Sequence, residues 1–347
     1  MIVGIRGSGI AATGCAHLLR GAGLRVAHAP APRATVPTVM LSDAALSLLR
    51  GVFDRPGLFA GRPRIKRRVI AWSSAVPVVV PHEAVLLSEA EVQAELAGSG
   101  PSVPEDRVVS EQGDDGIGQT DFTIFAAPPM PEGGMRIFGE RHAVAARVRL
   151  RDQACAEECR IEAVDAGWLF LVPASPDEGR LRGWLMGVGG ALDDLLADSR
   201  LIAPLVEPLG TSSIPFLAAP RLAMPLIGTD WLACGSAALG FDPICGDGTA
   251  QSVREAILAA AVLTEMADGG DPQALQTHYR SMLIAAMRRH LSLCANFYRN
   301  GGRSDWWRGQ FDALMQGYGW CTQLLADMPE PRFMLQDFRL VPRQDAA

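Results

Sequence analysis

The chain is 347 residues long, 48% hydrophobic and 20% charged, with a formal net charge of −6. That composition is globular rather than disordered, the length allows one or two domains, and the acidic balance gives no reason to expect nucleic acid as a partner. No apolar run is long enough to span a bilayer, and glycines and Arg6 interrupt the N-terminal stretch where a signal peptide would be continuous. The seven cysteines are odd in number and scattered. Cys155 and Cys159 are four apart, but no second pair or histidine cluster completes a zinc site, so no metal is expected and reduced cytoplasmic thiols are the default.

Met1 to Ile5 is apolar, Gly7-Ser8-Gly9-Ile10-Ala11-Ala12 follows, and a helical pattern runs on through Cys15, Leu18 and Leu19. Gly21-Ala22-Gly23 ends that helix, and Leu24 to Ala29 reads as the next strand. This is a β-α-β unit with G-x-G-x-x-A at its first turn, where glycines let the backbone approach a pyrophosphate seated on the helix N-terminus. Gly7, Ser8, Gly9, Ala11 and Ala12 are therefore candidate dinucleotide contacts. The second strand should end in an acid that binds the adenosine ribose, but that position is Pro30 and no carboxylate follows until Asp43. Arg33 is the candidate substitute, reaching the pyrophosphate or adenine, and weak or reversible binding is the expected consequence.

Beyond a proline-rich loop, Ser42 precedes a helix that begins at Asp43, as its N-cap or as a ligand contact; both readings stay open. Arg64 to Trp72 and Ala75 to His82 alternate and read as a hairpin. Glu89 to Leu96 is a short helix, Pro101 to Gly118 an acidic exposed loop, and Asp121 to Ala127 a strand returning to the first sheet. From Ala143 four β-rich runs, through Leu150, Cys159–Val164, Trp168–Pro173 and Leu181–Val188, predict an antiparallel sheet with one face covered.

Trp231 to Gly235 is a short apolar run closed by glycine, and Ser236 to Gly248 is a loop with three glycines, a proline and two aspartates. From Thr249 the residues Val253, Ile257, Leu258, Ala261 and Val262 recur at helical spacing. Asp247-Gly248-Thr249 is thus a glycine turn feeding a helix N-terminus, where free N–H groups and the helix dipole favour an anionic or electron-rich ligand. After it, Asp271 to Cys294 and Trp306 to Ala326 show the 3.6-residue period, and the rest of the chain is expected to be helical.

The order Gly235-Ser236-Ala237-Ala238, Phe241-Asp242-Pro243, Gly246-Asp247-Gly248 resembles the second FAD motif of flavin-dependent aromatic hydroxylases and tryptophan halogenases. That superfamily includes flavoproteins that mature quinone cofactors. The resemblance implies FAD, with Gly235 and Ser236 meeting the ribityl chain and the segment Asp242, Pro243, Gly246, Asp247, Gly248 and Thr249 bordering the flavin ring. Ser236 stands where the family has aspartate, and Ala126-Ala127-Pro128-Pro129 stands where related hydroxylases carry an Asp-Gly turn. Ser42 is the one match to a Gly-Glu-Ser segment of the halogenase-like flavoproteins. Lys66 is out of spacing with Trp72 for a halogenating lysine and reads as a solvated strand residue. Trp168-Leu169-Phe170-Leu171-Val172-Pro173 is similar to the halogenase Trp-x-Trp-x-Ile-Pro signature with Phe170 for the second tryptophan, or else is packed sheet core. Tyr298, Trp306 and Trp307 line the substrate side or pack between helices.

The implied fold is α/β, of group A flavoprotein monooxygenase type: a Rossmann-type FAD-binding domain with an antiparallel β-sheet substrate layer and C-terminal helices. Residues 1–60, 83–141 and 220–270 form the discontinuous FAD domain, 61–82 and 142–219 the substrate sheet, and 271–347 the C-terminal helical region. The implied activity is an FAD-dependent monooxygenase. NAD(P)H or a flavin reductase reduces the flavin, oxygen adds at C4a, and the hydroperoxide hydroxylates a small aromatic or peptidyl aromatic substrate. No side chain is compelled to act as base, although His82 and His142 are available. The alternatives are a flavin-dependent halogenase and, prompted by Pro30, Ser236 and Ala126-Ala127, a non-catalytic flavoprotein-fold partner.

Overall fold

A computed structural model describes residues 1–31, 36–72, 76–98, 119–177, 180–211, 213 and 215–343. The chain begins with β1 (Ile2–Arg6), α1 (Ile10–Gly21), β2 (Arg25–Ala29), β3 (Val39–Ser42) and α2 (Asp43–Val52). Next come β4 (Arg64–Ala71), β5 (Val78–Leu87), α3 (Glu89–Ala97), β6 (Phe122–Phe125) and β7 (Gly134–Ile137). The middle of the chain supplies β8 (His142–Leu150), β9 (Glu158–Val164), β10 (Gly167–Asp177), β11 (Arg180–Gly189) and α4 (Leu192–Asp198). It continues through β12 (Val206–Pro208), β13 (Phe216–Leu217), β14 (Arg221–Met224), β15 (Trp231–Ala233) and β16 (Leu239–Gly240). Three helices follow, α5 (Gly248–Ala267), α6 (Pro272–Gly301) and α7 (Asp305–Ala326), then a hairpin of β17 (Phe333–Gln336) and β18 (Arg339–Pro342).

Among the described residues, β15, β6, β1 and β2 lie in that order in one parallel sheet. The central residues Val3 and Ile5 are fully buried, as an interior parallel strand demands. Because all four strands run the same way, their carboxyl ends share one edge, where open α/β sheets bind ligands. Helices α1 and α5 cover this sheet and press closely together: a Cβ at Gly14 would stand 3.0 Å from the Ala256 Cβ.

The second sheet holds nine strands, ordered β12-β8-β11-β10-β9-β4-β5-β3, with β13 added on β8. The expected Rossmann-type unit, β layer and C-terminal helices are thus all present. Two features differ from expectation. Strands β4 and β9 pair in parallel, joining the early hairpin to the later meander. The sheet is also covered on both faces along β10. Trp168 and Phe170 face the main core, while Leu169 and Leu171 pack beneath α4, a helix that sequence periodicity does not reveal. Strand β5 runs to Leu87 and β3 joins it, so both belong to this sheet.

The C-terminal region departs from its all-helical expectation by ending in the β17–β18 hairpin, whose Leu340 is buried against the main core. The acidic stretch expected at 101–118 lies outside the described residues. No helix among the described residues is long and apolar enough to cross a membrane.

Candidate functional site

Three chain segments meet at the carboxyl edge of the parallel sheet. The first is the bend after β1. Gly7 has φ +123, and a Cβ there would stand 2.9 Å from the Ala127 backbone nitrogen, so only glycine fits. Gly9 (φ +113) is the N-cap of α1 and offers no side-chain cap, leaving the first-turn N–H groups beside Ala11 and Ala12 facing outward from the helix end. The second segment is Ala126-Ala127 after β6. The third is Gly235 after β15, with φ +59; a Cβ on it would lie 2.7 Å from the Ala11 Cβ. Ser236 donates its hydroxyl to the Ala126 carbonyl at 3.2 Å. The early and late glycine bends therefore touch, although more than two hundred residues separate them.

From there the chain returns through Asp242, Pro243 and Gly246 to α5. A Cβ at Gly246 or Gly248 would meet nothing within 4 Å, so the N-terminus of α5 opens onto clear space. Asp247, its N-cap, does not cap the helix; the carboxylate pairs with Arg254 at 2.6 Å. Thr249 is half-buried in the first turn. Ile10 of α1, Ala45 of α2 and Ala250 of α5 belong to one apolar cluster, and each lies in the first turn of its helix. Three helix N-termini are thereby gathered together.

Ser42 caps α2, accepting the Ala45 N–H at 3.3 Å. Ser42→Ala should cost about 1 kcal/mol in urea unfolding, the usual worth of such a cap. Arg33 lies outside the described residues. Pro30 is exposed, and the neighbouring His28 donates from Nε2 to the Gly7 carbonyl at 2.8 Å. This clasp between β2 and the bend escapes a sequence reading because a histidine in a strand carries no motif.

The groups behind the loop are equally invisible in the sequence. Arg141 and Asp242 form a fully buried pair, Nε to Oδ2 at 2.9 Å. Asp242 also accepts the Tyr298 hydroxyl at 2.9 Å and the Ile244 N–H at 3.0 Å. Burial pushes the Asp242 carboxyl upward and the Arg141 guanidinium opposes it. Arg141 is held further by Gln310 of α7 at 2.7 Å and lies over the Tyr298 ring. The Tyr298 oxygen accepts the Trp168 indole N–H at 3.1 Å, and the Asp242 N–H donates to His290 Nε2 at 2.8 Å. The carboxylate of Asp242 is thus fully occupied in anchoring the loop to the second sheet, α6 and α7.

Glu255 sits under the Gly235 bend, accepting its N–H at 2.8 Å and the Gln251 amide at 3.2 Å. Complete burial raises its pKa to about 8. A carboxyl whose folded pKa exceeds its unfolded one favours the fold fully below about 4.5 and loses that contribution as pH rises through about 8. Glu255→Gln should therefore flatten the decline in urea stability between pH 5 and pH 8, which for one such carboxyl amounts to about 1.4 kcal/mol per pH unit. An unchanged slope would sink this assignment.

Of the residues named from sequence beyond these, Lys66 forms an exposed pair with Glu157. His82 bonds Arg68, and burial lowers its pKa. His142 Nδ1 lies 3.0 Å from the Glu140 carbonyl, on the surface. Trp306 and Trp307 pack edge to face with each other and against Tyr298. Two cavities lie away from the glycine bends. One of about 270 Å³ adjoins the start of α6, and one of about 700 Å³ lies between β9 and the end of α6, rimmed by Arg200, Arg299 and Arg303. The glycine bends are preferred to those cavities as the candidate site because three chain segments converge there.

The fold is that of flavin-dependent hydroxylases and halogenases. The chain is similar to the peptidyl tryptophan dihydroxylase QhpG, essential for tryptophylquinone cofactor biogenesis. The match has 20% identity and TM-score 0.70, covering 98% of this chain and 86% of that one. It is also similar to the flavin-dependent brominase Bmp2, at 17% identity and TM-score 0.67 over 94% and 93% of the two chains. A third likeness is to 2,6-dihydroxypyridine-3-hydroxylase from Arthrobacter nicotinovorans, at 15% identity and TM-score 0.60 over 88% and 94%. No protein-family model matches the chain, and no curated protein does.

Proposed function

We propose that the protein is an FAD-dependent oxidoreductase, a monooxygenase that hydroxylates an aromatic group, free or carried on a peptide. The observation that carries this reading is the contact between the two glycine bends beside an α5 N-terminus that opens onto clear space. Backbone groups of Gly7, Ser8, Gly9, Ala11 and Ala12 would hold the diphosphate on the α1 N-terminus. Gly235 and Ser236 would meet the ribityl chain, where the Ser236 oxygen keeps acceptor capacity after donating to Ala126. The N–H groups around Asp247, Gly248 and Thr249 would face the electron-rich edge of the ring, with Arg254 neutralising the nearby Asp247 carboxylate. In this reading the FAD unit spans residues 1–60, 83–141 and 220–270 apart from β3 and the end of β5, which belong with the second sheet on the substrate side. Asp242 and Pro243 shape the loop from behind.

The cofactor supplies oxygen activation when bound, while the chain binds, orients and excludes water. A likeness to an enzyme acting on peptidyl tryptophan makes a protein-bound aromatic side chain the substrate class to test beside free aromatics. Halogenation fits less well, since Lys66 is exposed and paired with Glu157. A non-catalytic partner is the second reading, favoured by the exposed Pro30 at the end of β2 and the apolar Ala126-Ala127 turn.

The experiment is reconstitution. Purified protein titrated with FAD should show saturable quenching of flavin fluorescence, and supplied with FAD and with NAD(P)H or a flavin reductase it should consume reductant faster with an aromatic acceptor. A protein that takes up no flavin defeats the enzyme reading and leaves the partner role.

A further inference from the structure

Cys245 ends the short turn Pro243–Cys245 and immediately precedes Gly246, the hinge of the loop that leads to α5. Cys294 of α6 faces it with the two Sγ atoms 3.6 Å apart. His290, one turn earlier on α6, brings Nε2 within 3.3 Å of the Cys294 Sγ, and the three ligand-bearing side chains lie within 4.8 Å of one another. Such a group suits either a soft metal ion or a disulfide.

The imidazole argues against the metal. His290 Nε2 already accepts the Asp242 N–H, and a neutral ring has a single nitrogen lone pair. Burial, with the Arg141 charge nearby, pushes His290 down to about 3, so the ring is neutral and its proton sits on Nδ1. No nitrogen is left to ligate, and a cationic guanidinium stands close by. Two thiols in contact remain.

We propose that Cys245 and Cys294 form an oxidisable dithiol, closed to a disulfide by a hydroperoxide, which resets the loop ahead of α5. Cys245 is the more exposed of the two and meets the oxidant first. Its thiolate forms an S–O bond as the O–O bond breaks, and the departing hydroxide takes up the thiol proton as water. The Cys294 sulfur then attacks the sulfenic sulfur: the S–S bond forms, the S–O bond breaks, and a second water leaves. Two thiols and one hydrogen peroxide give one disulfide and two waters, with both sulfurs oxidised and both peroxide oxygens reduced. Burial raises the Cys294 thiol well above its ordinary pKa, which makes it a poor first target; its part in the second step rests on the 3.6 Å contact with Cys245.

Closing the bond draws the sulfurs together by about 1.5 Å. Gly246, at φ +63 with open space where a side chain would be, can absorb that movement. The loop is then drawn toward α6 and away from the clear space that its N–H groups face. If that space holds flavin, a step that rests on the reading above, loss of one N–H contact weakens retention about five-fold. The cross-link itself does not depend on flavin. An internal comparison is built in: Cys15 and Cys234 also touch, at 3.9 Å, but both are fully enclosed in the core.

The test treats the wild-type protein with hydrogen peroxide, alkylates it in denaturant and maps the peptides by mass. The expected product is a Cys245–Cys294 linked pair, two hydrogens lighter and restored by dithiothreitol, while Cys15 and Cys234 are alkylated. Cys245→Ser should abolish the link. Free, alkylatable Cys245 and Cys294 after peroxide would overturn the proposal, as would one equivalent of zinc that is lost in Cys245→Ser. FAD retention is measured on the same samples. A link that leaves retention unchanged overturns the coupling to the loop. Absence of flavin binding in both states, with the link formed, overturns the flavin reading and supports the dithiol alone.

Discussion

Gly248→Trp should fold as the parent does and fail to retain flavin. The substitution is chosen because a Cβ at Gly248 meets no protein atom within 4 Å, so a side chain can leave the backbone there without a clash. Replacing a helical glycine is also neutral or slightly favourable for the helix. The urea midpoint should therefore stay within about 0.5 kcal/mol of the parent. A ring blocking the helix end should weaken FAD binding by at least about 100-fold, or roughly 2.7 kcal/mol. Stability and binding are thus read separately, by urea unfolding and by flavin titration. Undiminished flavin uptake by this variant would put the cofactor somewhere other than the α5 N-terminus.

Arg141→Ala is the change expected to damage the fold most. It removes the only guanidinium bonded to Asp242 among the described residues and leaves a carboxylate with no exposure to water. Breaking a buried pair from one side costs about 3–5 kcal/mol, because the remaining charge stays uncompensated. The double change Arg141→Met with Asp242→Asn removes both charges and should recover more than half of the loss, a coupling readable from a double-mutant cycle in urea. Additive losses would mean that the two residues act independently. Since Asp242 also receives Tyr298 and caps the turn ending at Cys245, the single variant should additionally loosen the loop in hydrogen exchange.

The glycine bends are legible in the sequence because positive φ and close approach both select glycine, so Gly7, Gly9 and Gly235 mark their own turns. The α1 and α5 starts follow from helical spacing beginning at a glycine turn. Arg141 is not legible: it stands among surface-like arginines, and its partner lies a hundred positions further on. Glu255 and His290 are buried charges or bases on helical faces, and spacing alone cannot distinguish them from solvated residues. The parallel β4–β9 pairing stays hidden because alternation reports a strand's faces, not its neighbours. Helix α4 carries Asp193 and Asp194 in its first turn and is too short to show a period. The final hairpin is missed by the all-helical expectation for 271–347 because Phe333, Met334 and Leu335 are consecutive apolar residues with no strand alternation.

The order β15-β6-β1-β2 also constrains the timing of assembly. During synthesis β6 can join β1 as soon as residues 122–125 emerge, but its other edge has no neighbour until residues 231–233 follow. At about 5–20 residues per second, that edge is bare for on the order of ten seconds, a natural target for holding chaperones. Because Gly235 must reach Ala11 before the bends meet, the candidate site takes shape only once residue 235 has emerged. Completion of the site is consequently a late event, and truncation before β15 leaves the parallel sheet unfinished.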